Sequence, residues 1–368
     1  MTARMEQFQG RLADLGLAGA VVNRPEHVFY LVGFTTLPRS LSFLVTGPRG
    51  VALVTRGNEA LSRNLDSGLQ VFPYEFYRPR QLRAVDEVVA EALRAACEAV
   101  GLRGGRIGVE ASNLPWNVGP LVDGYGETFP LGGTIESMRV QKDDDEIAAI
   151  RRAVAINDLG LAAAQRAIRA GASELDVYSA VYREVLLRHG LPFTLQGDFV
   201  SGPRTERIGG PATARRLETG DLFIIDIFPV LNWYKGDFTR TFVVGRPSER
   251  QKEMHLVLEA ALAAGAAAIR PGLPACDLDA VVRNTIADAG YGDYFPHHAG
   301  HAIGLDHPEP PFIIPADPTP LQPRMVITLE PGIYVPGFGG MRLEQNYLVT
   351  ENRAEPLSAF PLELTECR

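Results

Sequence analysis

The chain has 368 residues, 46% of them apolar and 22% charged, with a net charge of −8. That length predicts two domains rather than a single core. The acidic balance, with no basic run, argues against nucleic acid or an anionic membrane as a partner.

The first third alternates helix and strand signals. Phe8, Leu12 and Leu15 fall at helical spacing within 5–15. Ala18 to Val22 reads as a short buried strand, and Asn23-Arg24-Pro25 as a turn. Ser42 to Thr46 and Val51 to Thr55 read as strands joined by Gly47-Pro48-Arg49-Gly50. Residues 84–99 form an alanine-rich helix with Val85, Val88, Val89, Ala92 and Leu93 on one face, and Arg106 to Glu110 another strand. This is an α/β domain over 1–133, ending near Gly132-Gly133.

From 134 to 368 the pattern changes. Asp143-Asp144-Asp145-Glu146 suits the first turn of a helix, where carboxylates meet the positive end of the dipole. Ile147, Ile150, Val154 and Leu161 continue it. A second helix over 173–188 is expected to turn Leu175, Tyr178, Val181, Tyr182 and Val185 inward. Helices at about 250–269 and 276–289 complete the set, with strands at Leu222–Phe228, Thr239–Val244, Met325–Leu329 and Asn346–Thr350. Helices against one face of an antiparallel sheet give an α+β domain.

Cys97, Cys276 and Cys367 are far apart and form no CxxC. A disulfide framework or thiolate zinc site is not expected, and a reducing cytoplasm fits. The N-terminus lacks the apolar run of a signal peptide, and nothing reaches the roughly 18 apolar residues of a membrane helix.

The chemistry concentrates elsewhere. Four of the seven histidines, His297, His298, His301 and His307, fall between Phe295 and Glu309. Imidazole both ligates metals and exchanges protons near neutral pH. Acidic partners sit at predicted strand ends: Asp226 in an otherwise apolar run, Asp237 after Gly236, Glu330 before Pro331-Gly332, and Glu344 after Leu343. A charge inside an apolar strand is costly unless paired or bound to a cation. Singly, Asp226 reads as a turn cap, Glu330 as an arginine's partner and Asp237 as a loop residue. Together, four carboxylates and one imidazole match the inventory of a two-metal site, for which Mn²⁺, Co²⁺ and Zn²⁺ are suited.

These residues carry a resemblance. Ile225-Asp226-Ile227, Gly236-Asp237-Phe238-Thr239-Arg240-Thr241-Phe242, Gly300-His301-Ala302-Ile303-Gly304-Leu305, and Leu329-Glu330-Pro331-Gly332 with Gly340-Met341-Arg342-Leu343-Glu344 occur in the order of the pita-bread metallopeptidases. That group includes methionine aminopeptidase, aminopeptidase P and prolidase. Arg24-Pro25-Glu26-His27-Val28-Phe29-Tyr30 resembles a segment of the creatinase-like N-terminal domain of its Xaa-Pro branch.

The resemblance implies a creatinase-like α/β domain and a pita-bread α+β catalytic domain. It implies two divalent ions held by Asp226, Asp237, His301, Glu330 and Glu344, with Asp237 and Glu344 bridging. Glu330 becomes the general base, His297 a substrate-side histidine, and Arg342 the group orienting Glu344. It implies a homodimer acting on proline-containing peptides: a prolidase on dipeptides, or alternatively an aminopeptidase P on longer ones. A non-catalytic peptide-binding module of the same fold is the rival of another class. Arg39, on an N-terminal loop, is a candidate for holding a dipeptide carboxylate. His298 reads as a neighbour of His297, and His27, His189 and His255 as structural.

Two departures stand out. The family's His-Gly pair before the ligand strand is replaced by Arg207-Ile208-Gly209-Gly210-Pro211. Its His-Glu pair, seven residues after the ligand histidine, is also altered. Here Pro308 is seventh and His307 comes one position early. His307 is then a candidate oxyanion donor.

Overall fold

The computed structural model describes residues 2–36, 40–57 and 68–367. It divides into two compact units, Met1–Met138 and Arg139–Arg368. The division falls past Gly132-Gly133, near the end of a short helix, Thr134–Arg139.

The first unit is built on a six-stranded mixed sheet. Its strand order is Gln70–Tyr74, Gly50–Arg56, Phe43–Gly47, Gly19–Val22, Arg106–Val109, Glu127–Pro130. The two middle strands bury every residue or nearly so. Helix Val85–Ala99 packs Val88, Val89, Leu93, Ala96 and Cys97 against Val45, Ala52 and Val54. Val85, expected on that face, is 38% exposed, because the helix starts there. Asn23-Arg24 leads into a further helix, Pro25–Val32, with proline in its first turn, where a missing N–H costs nothing.

The second unit has helices Asp144–Ala167, Glu174–His189, Glu249–Ala268 and Ala275–Asp288. Three of the four start at capping boxes: Asp143 with Glu146, Ser173 with Asp176, and Ser248 with Gln251. Each box satisfies two backbone N–H groups, and losing such a cap costs about 1 kcal/mol. Helix Glu174–His189 is rotated from the expected face. Val177, Val181 and Val185 are buried, whereas Leu175 is 45% exposed. The true stripe has strict four-residue spacing and leaves Tyr178 and Tyr182 at its edge.

Two two-stranded sheets, Val230–Leu231 with Tyr234–Lys235 and Gly332–Val335 with Gly339–Arg342, and two larger sheets complete this unit. One orders Thr365–Cys367, Phe238–Val244, Leu222–Ile227 and Gly197–Ser201. The other orders Glu309–Ile313, Gly300–Ala302, Val326–Leu329, Gln345–Val349 and Ala354–Pro356. Only the pairing of Thr365–Cys367 is parallel; the rest are antiparallel. Helices Glu249–Ala268 and Ala275–Asp288 bury Met254, Leu258, Leu262, Val282 and Ile286 in one core with Ile327, Leu329 and Val349. The expected α/β and α+β architecture is present. Among the described residues no helix is long and apolar enough to cross a membrane.

Candidate metal centre

The five expected ligands lie on five segments of the second unit. Asp226 is inside strand Leu222–Ile227, paired across to Thr239 and Asp198. Asp237 precedes strand Phe238–Val244, and Glu330 follows Val326–Leu329. His301 is the middle residue of Gly300–Ala302, and Glu344 joins Gly339–Arg342 to Gln345–Val349.

The backbone at these points is fixed from outside the cluster. Asn346 accepts from the Asp237 N–H at 3.1 Å and donates back to the Asp237 carbonyl. Buried Asn157 donates to the Ile227 and Gly236 carbonyls at 2.9 and 2.8 Å, tying together the ends of both acid-bearing strands. Gly236 is needed for that approach, since a Cβ there would lie 2.7 Å from the Val154 nitrogen. At Gly300 a Cβ would lie 2.1 Å from the Thr328 carbonyl oxygen, so the ligand histidine must follow a glycine.

The side chains converge. His301 Nδ1–H donates to the Ala302 carbonyl at 2.9 Å, which leaves Nε2 to face the acids. That Nε2 is 3.4 Å from Asp237 Oδ2 and 3.6 Å from Glu330 Oε1. Three groups have ligand-capable atoms close together: Asp226, Asp237 and Glu344; Asp237, His301 and His307; and His298, His301 and Glu330. Among the described residues nothing hydrogen-bonds to Asp226 Oδ1, Asp237 Oδ1 or Glu344 Oε1, although all three are buried. Buried carboxylate oxygens without donors are costly unless the group takes up a proton or lies beside a cation. The donor set therefore fits divalent metal.

The protonation balance agrees. Burial pushes the Asp226 and Glu344 carboxyls well above their ordinary range, and the negative Asp237 pushes both further. Burial also pushes Glu330 up, but His298, His301 and His297 outweigh it and hold that carboxyl down at about 2. Burial lowers His301. At His298 and His307 burial is outweighed, by Glu330 and by Asp237 respectively, and both imidazoles are raised.

These directions fix a pH dependence. A carboxyl raised on folding loses stability as pH climbs above its unfolded value near 4. A histidine raised on folding loses its contribution as pH climbs through its folded value. The lowered histidines, His297 and His301, act oppositely, but only below about pH 6.5, the unfolded value. Between pH 6.5 and 8 the site thus contributes with one sign. Melting temperature in chelator should fall across that window, and the rise on adding divalent ion should grow. A flat melting curve with a constant ion increment would contradict this account of the site.

Arg342, expected to orient Glu344, reaches it through Thr239. Its guanidinium donates to Asp226 at 2.8 Å, Asp198 at 2.9 Å, the Ile208 carbonyl at 2.9 Å and the Tyr334 hydroxyl at 3.1 Å. Its Nε donates to Thr239 Oγ1 at 3.0 Å, and that hydroxyl donates to Glu344 at 2.8 Å. The orientation of Glu344 therefore runs through Thr239. His297 uses both nitrogens, on the His298 carbonyl at 2.8 Å and the Tyr334 hydroxyl at 3.0 Å, and burial lowers its pKa to about 4. His298, read as a bystander, lies 2.8 Å from Glu330. His307 lies 2.8 Å from Asp237. Arg39 lies outside the described residues.

Sequence reasoning missed His298, Asp198, Thr239, Asn346 and Asn157. Thr239 stood inside a segment already singled out, so its position was available. Asp198 and Asn157 lie far along the chain from any ligand and carry no local signal.

Comparison with known proteins gives the same outline. Residues 148–351 match the model of metallopeptidase family M24, and 4–141 match the creatinase/prolidase N-terminal domain. The chain is 41% identical over 235 residues to the Xaa-Pro dipeptidase of Pyrococcus furiosus, covering 64% of this chain and 67% of that one. Its fold is similar to the Xaa-Pro dipeptidase from Bacillus anthracis, with TM-score 0.87 and 26% identity over 99% of both chains. It is also similar to the prolidase from Pyrococcus horikoshii, with TM-score 0.85 and 28% identity over 98% of this chain and 99% of that one.

Proposed function

The chain belongs to metallopeptidase family M24, and we propose that it hydrolyses the bond before proline in Xaa-Pro dipeptides, using two divalent ions. The observation that carries this reading is the convergence of His301 with three buried, unpartnered carboxylate oxygens in a chain with these relatives. Asp226, Asp237 and Glu344 would hold one ion. His301 and Glu330 would hold the other, with Asp237 and Glu344 shared. Oxygen ligands with imidazole suit Mn²⁺, Co²⁺ or Zn²⁺.

The side chains then divide the proton work. Bound divalent ions would supply an acidified water, and Glu330, whose carboxyl the neighbouring histidines hold low, would be the proton acceptor beside it. His298, half-exposed and 2.8 Å from Glu330, is suited to pass that proton to the departing prolyl nitrogen. His297 stays neutral at working pH and, with Tyr334, offers a polar pair for the substrate side.

The test is turnover of Xaa-Pro, Xaa-Pro-Xaa and Xaa-Ala peptides after chelation and return of each ion. Restored cleavage of Xaa-Pro above the other two is expected. Preference for the tripeptide would transfer the chain to the aminopeptidase P activity, and no turnover with any ion would sink the reading.

A further inference from the structure

The segment Asp306-His307-Pro308-Glu309 follows the ligand histidine and is unusually well anchored. Glu309 is 5% exposed, with Lys142 Nζ 2.7 Å from one oxygen and Arg139 on the other. Arg139 also holds Asp306 at 2.9 Å. Both cations are buried. Buried ion pairs hold their geometry, because breaking one strands a charge. The loop is thus pinned on both sides of His307.

The imidazole itself is also fixed. It stacks on Phe228, with ring centroids 3.9 Å apart and planes 14° from parallel. Its ring stands 5.0 Å from that of His301 and nearly perpendicular, at 85°. His307 Nε2 is 2.8 Å from Asp237 Oδ2, and His301 Nε2 is 3.4 Å from the same oxygen. Ligand atoms about 2.1 Å from one ion, at octahedral or tetrahedral angles, lie about 3.0–3.4 Å apart. Each imidazole nitrogen thus lies near that separation from the shared carboxylate oxygen, and the three ligand-capable atoms lie within 4.8 Å of one another.

We propose that His307 is a direct metal ligand, so that the ion beside His301 takes two imidazoles and Asp237. This rests on reading the site as a metal centre. It replaces the oxyanion role considered for His307 with a coordinating one. It also gives the displaced histidine a consequence: a second nitrogen donor favours Zn²⁺ or Co²⁺ over Mn²⁺ at that position.

The test is metal binding, read without substrate. The chelated protein, H307Q and H298Q are titrated with Co²⁺ and followed by visible absorption, with Zn²⁺ and Mn²⁺ affinities measured by competition. H307Q is expected to bind one Co²⁺ at least tenfold more weakly, with altered absorption bands and a reduced preference for Zn²⁺ over Mn²⁺. H298Q, which removes a contact of Glu330 and not of the shared Asp237 oxygen, should weaken Co²⁺ binding less than H307Q and leave the bands and the Zn²⁺ preference unchanged. Should H307Q misfold, H307A with imidazole added to the solution supplies the second arm, and recovery of the native Co²⁺ spectrum is expected. An unchanged spectrum and affinity in H307Q would reduce His307 to an ion-pair partner of Asp237. The same change appearing in H298Q would give the ligand role to His298. Either result overturns the proposal. Failure of the unaltered protein to bind Co²⁺ would overturn the metal-centre reading itself, and this inference with it.

Discussion

Asp237→Ala is expected to abolish hydrolysis and metal retention together, while making the metal-free chain harder to unfold at pH 8. Asp237 belongs both to the all-acid group with Asp226 and Glu344 and to the group with His301 and His307. Its loss therefore removes a ligand from each side of the centre. Metal ions contribute several kcal/mol of transition-state stabilisation, so kcat/KM should fall by roughly a thousandfold or more. The stability effect has the opposite sign. Without metal, Asp237 raises the pKa of both Asp226 and Glu344, a direct sign of repulsion among buried charges. Removing it relieves that repulsion, against the loss of its 2.8 Å contact with His307, and the net effect should favour the chelated chain. Activity, metal content and chelated melting temperature check the three parts. A variant that keeps its metal and its turnover would refute the assignment of Asp237.

Such a trade between function and stability is why the acids were legible in the sequence. Asp226 interrupts Phe223-Ile224-Ile225 and Ile227-Phe228, and an unpaired charge there has no structural rationale. The same logic reached Glu330, where Met325-Val326-Ile327-Thr328-Leu329 stops at an acid, whereas Glu344, after Arg342-Leu343, was reached through the family resemblance. The long amphipathic helices were legible from their spacing. What periodicity could not give was orientation. Leu175 and Val177 are both apolar and two residues apart, and only packing decides which turns inward.

The missed elements have identifiable reasons. Strands Gln70–Tyr74 and Glu127–Pro130 lie at the two edges of the first sheet and are largely exposed, so neither shows a clean apolar alternation. Helix Pro25–Val32 was hidden by its own proline, which reads equally as a turn and as a first helical position. Around the metal centre, ligands were legible and their supports were not. A ligand must be a particular residue type, whereas a support need only bring a donor to the right place. Asn157, Thr239 and Asn346 do so from ordinary positions on a helix and two strands. The contact of His298 with Glu330 was illegible for a related reason. Adjacent residues on an extended segment point in different directions, and sequence cannot say which of His297 and His298 meets Glu330.

Arg342→Met tests whether those supports matter as much as the ligands. Arg342 is buried and its guanidinium meets two carboxylates, a hydroxyl and a carbonyl, with Nε on a second hydroxyl. Its neighbours hold it firmly charged: burial works against the cation, but Tyr334, Asp226 and Asp198 more than offset that. Methionine fills similar volume but leaves Asp226 without the guanidinium that donates to it. Breaking a buried pair from one side costs about 3–5 kcal/mol. That loss should be largest in chelator. Bound metal would compensate Asp226 in the guanidinium's place, so the deficit measured by denaturant unfolding should shrink when divalent ion is added. Arg342→Lys should recover little, because a single ammonium cannot replace a fork that serves Asp226, Asp198, Tyr334 and Thr239 together. Adding Asp198→Asn to Arg342→Met should recover part of the stability, since it removes the second stranded acid. It should not recover activity, because Thr239 would still lack the Nε–H that orients its hydroxyl toward Glu344. A deficit independent of metal, or full rescue by lysine, would show that Arg342 acts as a packing residue and not as the counter-charge that sets the acids in place.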